Sequence, residues 1–183
     1  MPEEILIRQG APTLAGIKTG SLFPCPCEDR EDMLADIRRL NRRLLPKGLC
    51  LLPIRFLAGQ ALLYLYRPAE LRRDLRDARV SELLRQAGYE DESCAHCVAR
   101  LACRFRESGE FPHKVWLFLS YPPEDVKGFI DHRANDFKCA GLWKVYGDEE
   151  KARSLFTKYR KCTEIYSALW QSGSRLEQLA VAV

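Results

Sequence analysis

No stretch of the chain approaches the roughly 20 apolar residues that cross a bilayer. The opening MPEEILIRQG carries acids where a secretory leader has a basic segment followed by an apolar run. Neither membrane insertion nor secretion is expected, and the cytoplasm is the expected compartment. Net charge is also small. Against 29 lysines and arginines stand 25 acids, leaving +4, too weak a field to predict nucleic-acid binding. Only three histidines occur, and His113 and His132 stand singly with no serine or cysteine partner in view, so a catalytic triad has no support. Internal repeats, low-complexity tracts and long linkers are lacking too, which leaves no natural place to divide the chain.

Cysteine, by contrast, is plentiful: Cys25, Cys27, Cys50, Cys94, Cys97, Cys103, Cys139 and Cys162. A disulfide framework belongs to short secreted chains, so reduced thiols are expected. With 183 residues, 46% hydrophobic and 30% charged, the chain has the size and balance of one globular domain, 1–183.

The run Ile5–Ile7 is followed by Gly10–Ser21, whose three glycines and one proline read as an ordered loop. From Asp29, a helix cap, Met33, Ile37, Leu40 and Leu44 recur at helical spacing until Pro46 and Gly48. Leu49–Leu57 and Ala61–Arg67 flank a tight Ala58–Gln60 connection and predict a β-hairpin, its first strand placed at an edge by Pro53. Helices are expected at Pro68–Asp77, Val80–Ala87 and Ser93–Glu107, the last ending near Gly109. Val115–Leu119, apolar on both faces, reads as a central strand. A helix opens at Pro122 and Pro123 and runs to about His132, and a further strand is expected over Lys138–Tyr146. Asp148 caps a long amphipathic C-terminal helix carrying Ala152, Leu155, Phe156, Tyr159, Cys162, Tyr166, Leu169 and Trp170 on one side. Leu176–Val183 is open between strand and helix. The sum is an α+β fold with a mixed sheet of about four to five strands and helices packed on it.

Gly16-Ile17-Lys18-Thr19-Gly20-Ser21 resembles a phosphate cradle, since a glycine-rich backbone exposes amides while lysine and hydroxyls add charge and donors. It is not a P-loop: Ile17 separates Gly16 from Lys18, and Gly10 lies at the wrong distance. Thr13, Lys18, Thr19 and Ser21 are candidate contacts to an anionic small molecule, with Lys144 as a second cation. Cys94-Ala95-His96-Cys97 follows Ser93, so Cys94 falls in a first helical turn that favours a thiolate. Asp91 and Glu92 oppose that, and the same spacing puts both thiols beside Val98, Leu101 and Phe105. Cys25 and Cys27 joined to Cys94 and Cys97 would make a four-thiolate zinc or iron site, although one intervening residue in the first pair is short of the usual spacing. The arginines of 38–43 and 72–76 read as solvated faces flanked by acids. A ligand-binding protein, a thiol-based metal or redox protein, and a protein-interaction module all stay open. No residue set names a reaction.

Three blocks look familiar together: Ala11–Lys18 with Leu22 and Phe23; Phe111–Pro122 with Glu124–Phe129; and Lys138–Asp148 with Tyr159–Thr163. In order and extent they resemble the bacterial family of domain of unknown function 3793. That resemblance implies no established activity. It implies an association with anaerobes and with flavodoxin or ferrous-iron-uptake neighbourhoods, hence redox or iron physiology and a flavodoxin-like or iron-uptake partner. Lys18, Cys139, Lys144 and Cys162 lie inside the blocks, whereas Cys25, Cys27, Cys94 and Cys97 lie outside them.

Overall fold

The computed structural model describes residues 3–89, 93–107 and 113–182. Asp91, Glu92, Gly109 and the final Val183 lie outside the described residues, and with Gly109 the expected stop signal of the Ser93–Glu107 helix. No helix among the described residues is long and apolar enough to cross a membrane.

The first element corrects the loop expected at Gly10–Ser21. α1 runs Glu3–Leu14, with acids in its first turn and Leu6, Ile7, Gly10, Ala11 and Leu14 on its buried side. Acids at a helix start complement the dipole, and that buried stripe has helical spacing. Gly10 permits close packing, because a Cβ there would meet Leu65 Cδ2 at 2.7 Å. Pro12 lies inside the helix and withholds the N–H that would otherwise bond back to the carbonyl of Arg8. A Schellman turn then stops it: Gly16 takes φ 74°, Ile17 N–H donates to Pro12 O at 3.0 Å and Gly16 N–H to Thr13 O at 3.2 Å.

β1 (Gly20–Pro26), β2 (Cys50–Leu57) and β3 (Gln60–Tyr66) form an antiparallel sheet in the order β1-β3-β2. The expected hairpin is β2–β3, and Pro53 does lie on an edge strand, at a bulge. Pro24 and Pro26 occupy the other edge, the pattern set by a residue that cannot donate to a ladder. The central strand is β3. Ala61, Leu63 and Leu65 face one core cluster; Tyr64 and Tyr66 face another.

The first cluster joins that face to α1, to α2 (Arg30–Leu44, capped by the Asp29 side chain) and to α8 (Leu176–Leu179), the short helix that settles the open C-terminal segment. Arg43 of α2 ties the same elements through ion pairs to Glu3 and Glu177. The second cluster covers the opposite face with α3 (Pro68–Leu75), α4 (Ala78–Arg85), α5 (Cys94–Glu107) and α6 (Pro123–Asp131).

Residues 113–119 correct another expectation: His113–Leu119 is a 3-10 helix, with Val115, Leu117, Phe118 and Leu119 buried. A short apolar run reads equally as a strand or a buried helical turn, and here the sheet ends without it. Likewise, the strand expected over Lys138–Tyr146 is a hairpin of β4 (Cys139–Ala140) and β5 (Lys144–Val145). The fold is therefore α+β with sheets of three and two strands, not one of four to five. α7 (Glu149–Gln171) starts at the Asp148 cap as expected, packs along α1, and carries Phe156 and Tyr159 against the hairpin's Trp143 and Val145.

Arg67, 1% exposed, binds four carbonyls and, among the described residues, no carboxylate. Its Nε donates to Thr13 O at 2.8 Å, and its Nη atoms donate to Leu14 O at 2.8 Å, Val181 O at 2.7 Å and Lys47 O at 3.3 Å. Burial pulls its pKa down, while Glu70 and Tyr166 oppose the shift. A buried carbonyl stripped of its donor costs about 1–3 kcal/mol. We predict that Arg67→Met lowers stability by about 3 kcal/mol or more, and that Arg67→Lys, which keeps charge but not the fork, recovers less than half. Urea unfolding of both variants checks this, and wild-type midpoints would refute it.

Candidate functional site

The turn leaving α1 delivers Lys18 into the space between α1 and α7. A cavity of about 430 Å³ opens there. α1 contributes Arg8, Gln9 and Pro12 to its wall, and α7 contributes Tyr159, Arg160, Thr163 and Glu164. On each helix the contacts recur at i, i+4 spacing, which places them on one face. Ser21 of β1, Tyr121 and Leu142 complete the lining.

Lys18 is half-buried, and its Nζ lies 5.5 Å from the Tyr121 ring centroid and 5.9 Å from that of Tyr159. Among the described residues no carboxylate or carbonyl accepts from this ammonium. Burial alone lowers its pKa from 10.5 to about 8. The same burial pushes Tyr121 up, and Tyr159 to about 12, so both phenols keep their protons where the lysine loses its own. Arg8 and Arg160 add two further cations and Glu164 one acid, and among the described residues none of the three makes an ion pair.

The other predicted contacts divide. Ser21 reaches the cavity, but its hydroxyl shares a 2.9 Å hydrogen bond with Thr13 Oγ1, and Thr13 is itself buried in α1. Thr19 faces elsewhere: its hydroxyl donates to Asp74 Oδ2 at 2.5 Å, and its amide donates to Ser120 Oγ at 2.9 Å. Burial raises the Asp74 pKa, and the Thr19 bond partly offsets it. Lys144 belongs to an adjoining cavity of about 200 Å³, where its Nζ donates to Ala134 O at 2.8 Å and lies over Phe137 and Phe129. The amide cradle does not form, because the amides of Gly16, Ile17 and Lys18 all turn back to carbonyls of Pro12 and Thr13. Any anion here meets side chains.

The four-thiolate site is not assembled either. Cys25 and Cys27 pack on the α1–α2 side of the sheet, Cys94 and Cys97 on the α5 side. Among the described residues no group of three or more His, Cys, Asp or Glu side chains converges to hold a metal. Cys27 Sγ donates to Asp29 O, and burial raises the Cys25 and Cys94 thiols, away from the thiolate form. Cys139 and Cys162 pack in the hairpin cluster and on the buried side of α7.

A family model matches residues 6–180 of the chain. The protein belongs to the family described as Protein of unknown function (DUF3793). No curated protein and no solved structure matches it. The blocks through which the sequence resembles DUF3793 come from distant parts of the chain, yet Lys18, Tyr121, Leu142, Lys144, Tyr159 and Arg160, one or more from each, meet at these two adjoining cavities. Sequence reasoning found Lys18 but missed Arg8, Tyr121, Tyr159 and Arg160. The signal for Arg8 was the helical stripe of 3–14, hidden by Gly10 and Pro12. Tyr159 reads in sequence as one of the packing residues of the long C-terminal helix.

A cation without a counter-charge weakens the fold that holds it. Its folded pKa lies below the unfolded value, so the penalty is complete below pH 8 and disappears as pH rises from 8 towards 10.5. We predict that Lys18→Met melts higher than wild type at pH 7, by on the order of 1 kcal/mol, since the two ring faces and partial exposure relieve most of the cost. The gap should close by pH 10. A Lys18→Met protein less stable than wild type at pH 7 would contradict the unpaired-charge reading.

Proposed function

We propose that this protein binds a small anionic molecule, in the phosphate or carboxylate range of charge, in the cavity between α1 and α7. The observation that carries the reading is the ammonium of Lys18, held between two tyrosine rings with no acceptor among the described residues, beside Arg8 and Arg160. Three cations against Glu164 leave the cavity positive, and low polarity around Lys18 strengthens any charge-assisted bond made there. Gln9 adds a neutral donor to the wall, while the hydroxyls of Ser21 and Thr163, bonded to Thr13 and to Tyr159 O, add polar surface. The assignment is to binding.

The metal or redox alternative has no comparable support, because its four cysteines lie on two faces of one sheet. Calorimetric titration with sulfate, inorganic phosphate and pyrophosphate tests the proposal. Binding should weaken at least tenfold in Lys18→Met and less in Arg160→Ala, whose side chain is exposed. Sulfate is the cleanest probe for pH, as it does not titrate near neutrality. Its affinity should fall as pH rises through about 8, where Lys18 loses its proton. No heat with any of the three anions, or equal affinity in Lys18→Met, would sink the proposal.

A further inference from the structure

The second cavity adjoins the first and differs from it in character. Trp116, Tyr121, Phe129, Leu142 and Trp143 form its walls, with Lys144 at one side. Tyr121 and Leu142 line both cavities, and Leu142, 43% exposed, stands on the β4–β5 turn between them. By itself a cavity of about 200 Å³ falls short of the roughly 300 Å³ at which small-molecule sites begin, whereas the cationic cavity beside it exceeds that size.

The rings are held in place. Phe129 meets Trp116 edge-on, with centroids 4.3 Å apart and planes at 82°, and Tyr121 lies 4.7 Å from Trp143. Trp143 is fixed by its indole N–H, which donates to Asp125 Oδ2 at 2.7 Å. Asp125 Oδ1 in turn accepts from the amides of Tyr146 at 2.8 Å and Gly147 at 2.7 Å. Asp125, the carboxylate in this wall, thus already accepts three hydrogen bonds from the protein and serves to hold Trp143 and the hairpin. Lys144 adds positive charge on the same side. The lining suits a flat ring that is neutral or anionic, since aromatic walls offer faces for stacking that do not depend on ring identity.

Resting on the anion-binding reading above, we infer that the two cavities are halves of one site and that the ligand is a phosphate-bearing planar heterocycle of the mononucleotide class. The phosphate lies against Lys18, Arg8 and Arg160. The ring enters between Trp116, Phe129 and Trp143, and Leu142 covers the junction.

Titrations of the full chain with adenosine monophosphate and flavin mononucleotide, compared with ribose 5-phosphate, test this. Ribose 5-phosphate carries the same charged group without a ring. At least one ring compound should bind about tenfold or more tightly than ribose 5-phosphate, the gain expected from stacking, and should quench tryptophan emission. Phe129→Ala, which touches only the aromatic cavity, should bring the ring compound down towards ribose 5-phosphate and leave ribose 5-phosphate unchanged. The wild-type comparison stands even where that variant folds poorly. Equal affinity for ring and ringless phosphates, or tight ring binding unaffected by Phe129→Ala, overturns the inference and leaves anion binding intact. If none of these compounds binds while sulfate or inorganic phosphate does, the inference falls and anion binding stands; if the simple anions fail as well, both fall.

Discussion

The guanidinium of Arg67 sits where four backbone carbonyls converge, and the position of the cavity follows from that convergence. Two of the carbonyls, Thr13 and Leu14, close α1, a third belongs to the 3-10 turn Leu45–Lys47 after α2, and the fourth is Val181 beyond α8. A helix end buried without donors is costly, and a planar fork with five N–H groups suits such a set. The backbone amide of Arg67 also donates to Thr19 O at 2.9 Å, so the residue grips both ends of the turn that presents Lys18. Between those grips the chain has little freedom. Gly16 takes the left-handed conformation, the amides turn inward, and Lys18 is directed between the tyrosines.

Lys18 and Arg67 are both partly or wholly buried cations, and the contrast between them separates structure from function. Arg67 spends its donors on carbonyls, and its role is complete within the fold. Lys18 has three donors and, among the described residues, meets the faces of Tyr121 and Tyr159 and no acceptor. A methionine of similar length would pack there at lower cost. Retaining a charge at such a position makes physical sense when an anion completes it, and the neighbouring Arg8 and Arg160 extend the same sign of charge towards the opening.

Much of the architecture could be read from the chain because caps and periodicity agreed. Asp29 and Asp148 mark the starts of α2 and α7, and their side chains accept from Asp32 N and Lys151 N as a cap should. Pro53 placed its strand at an edge. The failures share one cause: a local signal overridden by tertiary packing. Gly10 looked like a breaker, yet it is where α1 presses on β3. Val115–Leu119 had apolar side chains on both faces, and the core wanted a tight helical turn there, with Tyr64 Oη donating to Phe118 O at 2.6 Å. Lys18 was found for a partly mistaken reason, since the glycines around it end a helix and begin a strand rather than offering amides. Tyr121 and Arg160 gave no sign, because only the fold brings a Pro-Pro loop and the middle of α7 to the same lysine.

The titration of Lys18 itself separates an ammonium that an anion completes from an ordinary lysine. Carbon-13 labelling of the lysine Cε positions, with Lys18 assigned by loss of its signal in Lys18→Met, allows that pKa to be followed by nuclear magnetic resonance with and without sulfate. The midpoint should lie near 8 in the free protein and move upward as sulfate saturates the cavity. An ordinary lysine midpoint near 10.5, unmoved by sulfate, would contradict this.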